Sequence, residues 1–126
     1  MNTEPKAGYL CRIAFDGTPL ECWRTTDRPL VVGRGDLVEA FVEDDSLSRS
    51  HFMIDRENTD FILVDLESSN GTQVNGKSVA SHRLTQYDII EAGASRFCFF
   101  LNPPELARVP VELFEHLHAT QPRSSV

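Results

Sequence analysis

The sequence predicts an all-β fold, an antiparallel β-sandwich of about eleven strands. Three observations predict it. Short runs of alternating apolar and polar residues recur along the chain. Turn residues cut those runs at frequent intervals. No helical period appears before residue 103.

The elements follow in order. "YLCRIAF" sets Tyr9, Cys11, Ile13 and Phe15 against Leu10, Arg12 and Ala14, the period of a half-buried strand. Asp16-Gly17 is a hairpin signal and predicts a two-residue turn into "LECWR", which has Pro19 at its edge. "RPLVVG" supplies a strand over Leu30 to Val32, ended by Gly33. A short strand is expected over Ala40 to Glu43, and another over His51 to Arg56. The "ENTD" turn joins the latter to Phe61–Asp65. "TQVNG" and "KSV" flank the turn dipeptide Asn75-Gly76. "DIIEAG" and "SRFCFFL" form a second hairpin, turning at Ala92 to Ala94. The expected organisation is a flexible N-terminus over 1–7, a sandwich over 8–102 and a tail over 103–126. In the tail, Pro110 suits the first turn of a helix, and Leu113, Phe114 and Leu117 share a face. That predicts a short helix over about 110–118, docked on the sandwich.

The bulk numbers exclude several functions. A chain of 126 residues fits one domain with a moderate core. The net charge of −7 argues against nucleic acid and against an anionic membrane surface, both of which need a positive face. No apolar run is long enough to span a bilayer, and "MNTEPKAGYL" lacks the apolar core of a signal peptide. Cys11, Cys22 and Cys98 have no metal-ligand spacing, and His116 and His118 point to different faces. A two-residue turn would place Cys11 opposite Cys22 as a hydrogen-bonded pair, whose side chains sit farther apart. The expectation is therefore free thiols in a reducing, cytoplasmic compartment.

Three loops depart from ordinary polar connections. In Gly33-Arg34-Gly35, an arginine fork that suits two oxygens of a phosphate or carboxylate stands between two residues that let a ligand approach. Arg34-Gly35-Asp36 also reads as an adhesion tripeptide and Gly33-x-Gly35 as the start of a dinucleotide loop. The latter lacks a third glycine and a following helix. In "SLSRSH", Ser48 offers a hydroxyl, Arg49 a second cation, and His51 an imidazole able to tie the loop down through both nitrogens. Nothing around Ser48 resembles a nucleophile elbow, so no enzyme is expected. In "ESSNGTQVNG", Ser69 and Asn70 are short polar groups, and Asn70-Gly71 supports a tight turn.

In order and spacing, these pieces resemble the forkhead-associated (FHA) domain: Gly33-Arg34, Ser48-Arg49-Ser50-His51, Ser69-Asn70-Gly71-Thr72 and Asn75-Gly76. The resemblance covers about Tyr9 to Leu101. It implies an eleven-stranded sandwich that binds phosphothreonine peptides through loops at one end, without catalysis and without a cofactor or metal. It implies that Arg34 and Ser48 bind the phosphate, that Arg49 adds a phosphate or backbone contact, that Ser69 lies by the phosphate or the threonine, and that Asn70 bonds the peptide backbone. Gly33, His51, Gly71, Thr72, Asn75 and Gly76 are expected to support the site. The implied partner is a phosphorylated protein, a Ser/Thr kinase or its substrate, with neither nucleic acid nor membrane. Ser46 stands where some members carry an arginine that selects an acidic residue. With Glu43-Asp44-Asp45 beside it, acidic residues after the phosphothreonine are expected to be disfavoured. The competing reading is a phosphate-independent scaffold that uses another face or the tail.

Overall fold

A computed structural model describes residues 7–102. The helix expected near 110–118, and residues 1–6, lie outside the described residues. Among the described residues, eleven strands form two sheets. The strands are β1 (Gly8–Ile13), β2 (Pro19–Thr25), β3 (Leu30–Gly33), β4 (Ala40–Phe41), β5 (Phe52–Glu57), β6 (Asp60–Asp65), β7 (Thr72–Val74), β8 (Lys77–Ser78), β9 (Ser81–Arg83), β10 (Ile89–Ala92) and β11 (Ser95–Phe100). One sheet runs β2-β1-β11-β10-β7-β8 and the other β4-β3-β5-β6-β9.

The alternation in the strands decides what lies between the sheets. Leu10, Ile90, Phe97 and Phe99 from the first sheet meet Val32, Phe52, Ile54, Phe61 and Leu63 from the second, all buried. The phenylalanines interlock across the gap. Phe52 and Phe97 meet edge to face with centroids 5.5 Å apart, and Phe61 lies 5.6 Å from Phe99. Burying each such side chain contributes about 1.5–3 kcal/mol.

Three details differ from the sequence reading. Ser81–Arg83 forms an edge strand beside Ile62–Val64 although it carries no apolar pattern. β3 and β4 pair in parallel, Val32 against Ala40, within an otherwise antiparallel fold. The chain therefore leaves β3 at one end of the sandwich, doubles back through 34–39, and returns along β4 to the same end. That places two successive connections, 33–35 and 42–51, on one side.

The third difference corrects the cysteines. The first hairpin closes on Ala14 and Thr18, with three residues between them, and the register shifts between Arg12 and Ile13. Cys11 still faces Cys22, but at a Cα separation of 4.0 Å. That is near the roughly 4.5 Å of a non-hydrogen-bonded pair, not the roughly 5.5 Å of a hydrogen-bonded one. The bulge moves the pair to the close position, and Cys11 and Cys22 are joined in a disulfide, not free as expected. Cys98 is free and buried, and burial chiefly, with the charge of Asp88, pushes its thiol up to about 12.

A second apolar cluster lies on the other face of the six-stranded sheet. Cys11, Ile13, Ile89, Cys98 and Phe100 are buried there with Tyr9 against them. Here the alternation of β1, β10 and β11 is apolar on both faces.

Candidate functional site

The three unusual loops meet at one end of the sandwich, and direct hydrogen bonds join them. Gly33 makes the first junction. A Cβ built there would lie 2.0 Å from the Arg49 carbonyl oxygen, so only glycine lets β3 run against the 48–49 backbone. The Arg34 and Gly35 amides donate to the Ser48 and Arg49 carbonyls at 3.2 and 3.1 Å. The Arg34 Nε donates to the Leu47 carbonyl at 2.7 Å. That bond holds the stem of the exposed arginine and leaves the two terminal nitrogens of its fork for a ligand.

His51 makes the second junction. It is fully buried, and its amide donates to the Val32 carbonyl at 2.8 Å. Its Nδ1 accepts from the Ser48 amide at 3.0 Å, so the ring proton sits on Nε2, which donates to the Gly71 carbonyl at 2.8 Å. One imidazole thus spans two loops. Gly71 takes φ +84°, a left-handed value that favours glycine and aims its carbonyl at the ring.

Ser48 makes the third. Its Oγ accepts from the Ser69 amide at 3.0 Å, which leaves the hydroxyl proton to donate elsewhere. Beside it, the Asn70 Nδ2 donates to the Ser46 carbonyl at 2.9 Å, and its Oδ1 remains as an acceptor. Arg34, Ser48, Ser69 and Asn70 thus come together from three loops. Arg49 is exposed on the same loop as Ser48, and among the described residues its guanidinium has no partner. A shallow depression of about 420 Å³ lies alongside, between Ser46, Asn70 and Gly71 on one side and Glu91, Gly93 and Ala94 on the other.

Two aspartates that sequence reasoning missed hold this end together. Asp65 accepts from the Ser68 amide and hydroxyl and from the Thr72 hydroxyl, at 3.1, 2.6 and 2.7 Å, which sets the turn that presents Ser69 and Asn70. Asp44 accepts from the Ser46 and Ala94 amides and the Ser95 hydroxyl, at 2.8, 2.9 and 2.7 Å, and ties the 42–51 loop to the β10–β11 turn. Burial pushes both carboxyls up. Hydrogen bonds from Ser95, Ser46 and Ala94 to Asp44, and from Ser68 and Thr72 to Asp65, more than offset it, so both lie below the ordinary value. The spacings Asp44-x-Ser46 and Asp65-x-x-Ser68 are the available sequence signal, that of a side chain capping a nearby backbone amide.

Asn75 and Gly76 do not join the site. They close the β7–β8 turn at the opposite end of β7, where Asn75 bonds Asp88 and Ile89. The expected role as site support is corrected: successive turns alternate ends, and these two brace β10.

Three cross-bonded loops at one end of a small β-sandwich thus gather two exposed arginines and the Ser48 hydroxyl. The chain belongs to the FHA domain family, whose model matches residues 30–93. It is 36% identical over 73 residues to the glycogen accumulation regulator GarA of Mycobacterium tuberculosis, a match covering 58% of this chain and 45% of GarA. It is 35% identical over 78 residues to the oxoglutarate dehydrogenase inhibitor of Corynebacterium diphtheriae, covering 61% of this chain and 54% of that protein. The chain thus spans about half the length of these curated relatives. Among solved structures, one from a study of phosphothreonine-dependent FHA domain interactions superposes with a TM-score of 0.70 at 28% identity, over 77% of this chain and 98% of that one.

Proposed function

We propose that the chain is a phosphothreonine-peptide-binding adaptor in Ser/Thr-kinase signalling, which acts by binding and not by catalysis. The observation that carries this reading is the junction of Arg34 and Ser48. A guanidinium with its terminal nitrogens available and a hydroxyl with its proton available are held side by side by backbone bonds. A phosphothreonine brings about −1.5 to −2 charges and three strong acceptor oxygens. Arg34, the Ser48 hydroxyl and Arg49 take the phosphate, the Ser69 hydroxyl lies beside the threonine, and the Asn70 Oδ1 accepts a peptide amide. Hydrogen bonds to a charged group contribute about 1.5–3 kcal/mol each. Two or three of them, with a few backbone bonds, reach the roughly 8 kcal/mol of a micromolar complex. Unphosphorylated threonine leaves both arginines without a counter-charge.

Residues following the phosphothreonine run into the depression beside Asn70. Glu43 and Asp45 are exposed beside Ser46, which lines it, while Glu91 is paired with Arg96, so the peptide is disfavoured when acidic there. The module occupies 8–102, and the whole protein's partner is a phosphorylated kinase or kinase substrate. The Cys11–Cys22 bond removes the cysteine argument for a reducing compartment. The cytoplasmic placement then rests on the kinase partner.

The test is fluorescence anisotropy with a degenerate phosphothreonine peptide pool and its unphosphorylated twin, on the wild-type chain and on Arg34→Ala. Micromolar binding to the phosphorylated pool, lost in the variant, is the expected result. Equal binding to both pools would replace this reading with a phosphate-independent scaffold.

A further inference from the structure

A second depression, of about 410 Å³, adjoins the one beside Asn70. Glu91, Gly93 and Ala94 line both, so the two share the β10–β11 turn as a common wall. The far side of the second depression belongs to the first hairpin and is apolar, with Ala14, Phe15 and Leu20. Phe15 is 70% exposed and Leu20 47%. One exposed apolar side chain is ordinary, but two that wall a depression next to a ligand site mark a contact surface. The wall is also held in place. The Ala14 amide donates to the Thr18 carbonyl at 2.8 Å and the Gly17 amide to the Ala14 carbonyl at 2.9 Å. The Asp16 carboxylate accepts from the Thr18 amide and hydroxyl at 3.0 and 2.6 Å. The Arg96 guanidinium lies 5.5 Å from the Phe15 ring centroid and donates to Glu91 at 2.8 Å. Glu91, Arg96 and Phe15 thus form a row that leads from the first depression into the second.

We propose that the second depression is a specificity site for the same phosphopeptide, which places an apolar side chain against Phe15 and Leu20 about six residues after the phosphothreonine. This rests on the phosphothreonine reading of Arg34 and Ser48, whose peptide runs past Asn70. The shared wall names the occupant, because the second depression lies on the continuation of that path. The spacing agrees. Gln73 of β7 lines the first depression and Leu20 of β2 the second, and the sheet order β7-β10-β11-β1-β2 makes four steps between them. At about 4.8 Å a step that is roughly 19 Å, which about six extended residues cover. The chemistry of the walls selects the side chain. Arg12 and Arg96, which line the second depression, are paired with Glu21 at 2.9 Å and Glu91 at 2.8 Å. With both cations matched, the lining favours an uncharged group, and Phe15 and Leu20 supply apolar area for it to bury.

The test selects a phosphothreonine peptide library, degenerate over about ten residues after the phosphothreonine, on the full wild-type chain. Enrichment of Leu, Ile, Met or Phe at one position in roughly the fifth to eighth is expected. In fluorescence anisotropy the enriched peptide should bind at least about fivefold tighter than the same peptide truncated after the fourth residue. Phe15→Ser/Leu20→Ser should remove that gain and bind the truncated peptide as the wild type does, which also shows that the variant is folded. No apolar enrichment, equal binding of long and truncated peptides, or a gain that survives in the variant overturns the proposal and leaves the phosphate site standing. Failure of every phosphorylated peptide to bind the wild type overturns both readings together. A wild-type dimer in sedimentation that Phe15→Ser/Leu20→Ser dissociates makes a second copy the occupant, and overturns the peptide assignment.

Discussion

At the loop end of the sandwich, Asp65 collects hydrogen bonds from Ser68 and Thr72. At the far end, Asp88 collects them from Asn75, His82 and Thr85. Both hubs are carboxylates that fix a turn, but they leave different things over. Around Asp88 the network closes on itself. Its two oxygens take four hydrogen bonds, the Asn75 Oδ1 takes the Ile89 amide, and Asp88 is 5% exposed. Around Asp65 and Asp44 the network fixes backbone, while Arg34, Arg49 and the Ser48 hydroxyl point capacity outward. Closed networks hold the fold. Open ones, held from behind, are able to bind.

The largest expected effect breaks the open network alone. Arg34→Ala should cost about 2–5 kcal/mol of phosphopeptide binding, the range for losing one partner of a desolvated charge pair. Its thermal stability should fall by only about 0.5–1.5 kcal/mol, the contribution of the one hydrogen bond from its Nε to the Leu47 carbonyl. Anisotropy and calorimetry on the same sample check both halves. Asp88→Ala should do the reverse, losing about 2–4 kcal/mol of stability by leaving the Asn75 and Thr85 donors without an acceptor. Titration below its melting temperature should show peptide affinity within about twofold of wild type. A large affinity loss there would join the two ends.

His51→Gln sharpens the contrast, because the ring is buried like the closed network yet ties two binding loops. It should lose about 1–3 kcal/mol of stability and also weaken binding by about fivefold to tenfold, through looser placement of Ser48 and Gly71. Loss of stability with full affinity would show that the loops hold without it. The smallest effect is in acid. The Asp44 and Asp65 carboxyls are lowered on folding, so their contribution is complete above the ordinary carboxylate range and is lost as pH falls through their folded values. Melting temperature should fall below about pH 4, and Asp65→Asn should flatten that fall. An unchanged slope in the variant would disconnect Asp65 from acid unfolding.

The two networks also differ in how much of them can be read from sequence. Gly33, Arg34, Ser48 and the Ser69-Asn70-Gly71 turn are legible because unusual residue types in loops need a reason. The alternation in β1, β5, β6 and β11 is legible because a strand has period 2. Of the aspartate hubs, Asp65 bonds locally, to Ser68 and Thr72, but Asp44 is harder to read because it bonds Ala94 and Ser95, 50 and 51 residues away. β9 escapes because Ser81-His82-Arg83 is polar and gets its strand character from its pairing with β6. The disulfide escapes because a single bulge reverses the phase of a ladder. The parallel step from β3 to β4, which brings the 33–35 and 42–51 connections to one end, is a three-dimensional fact that no local pattern encodes.

The missing side chain at Gly33 has a kinetic consequence. Because β3 touches the 48–49 backbone directly, Arg34 and Ser48 are in position before any peptide arrives. Little loop entropy is then lost in the encounter. Association should be governed by diffusion and by the pull of two arginines on a doubly charged group. Differences among peptide sequences should then appear in how long each complex lasts, and hardly at all in how fast it forms.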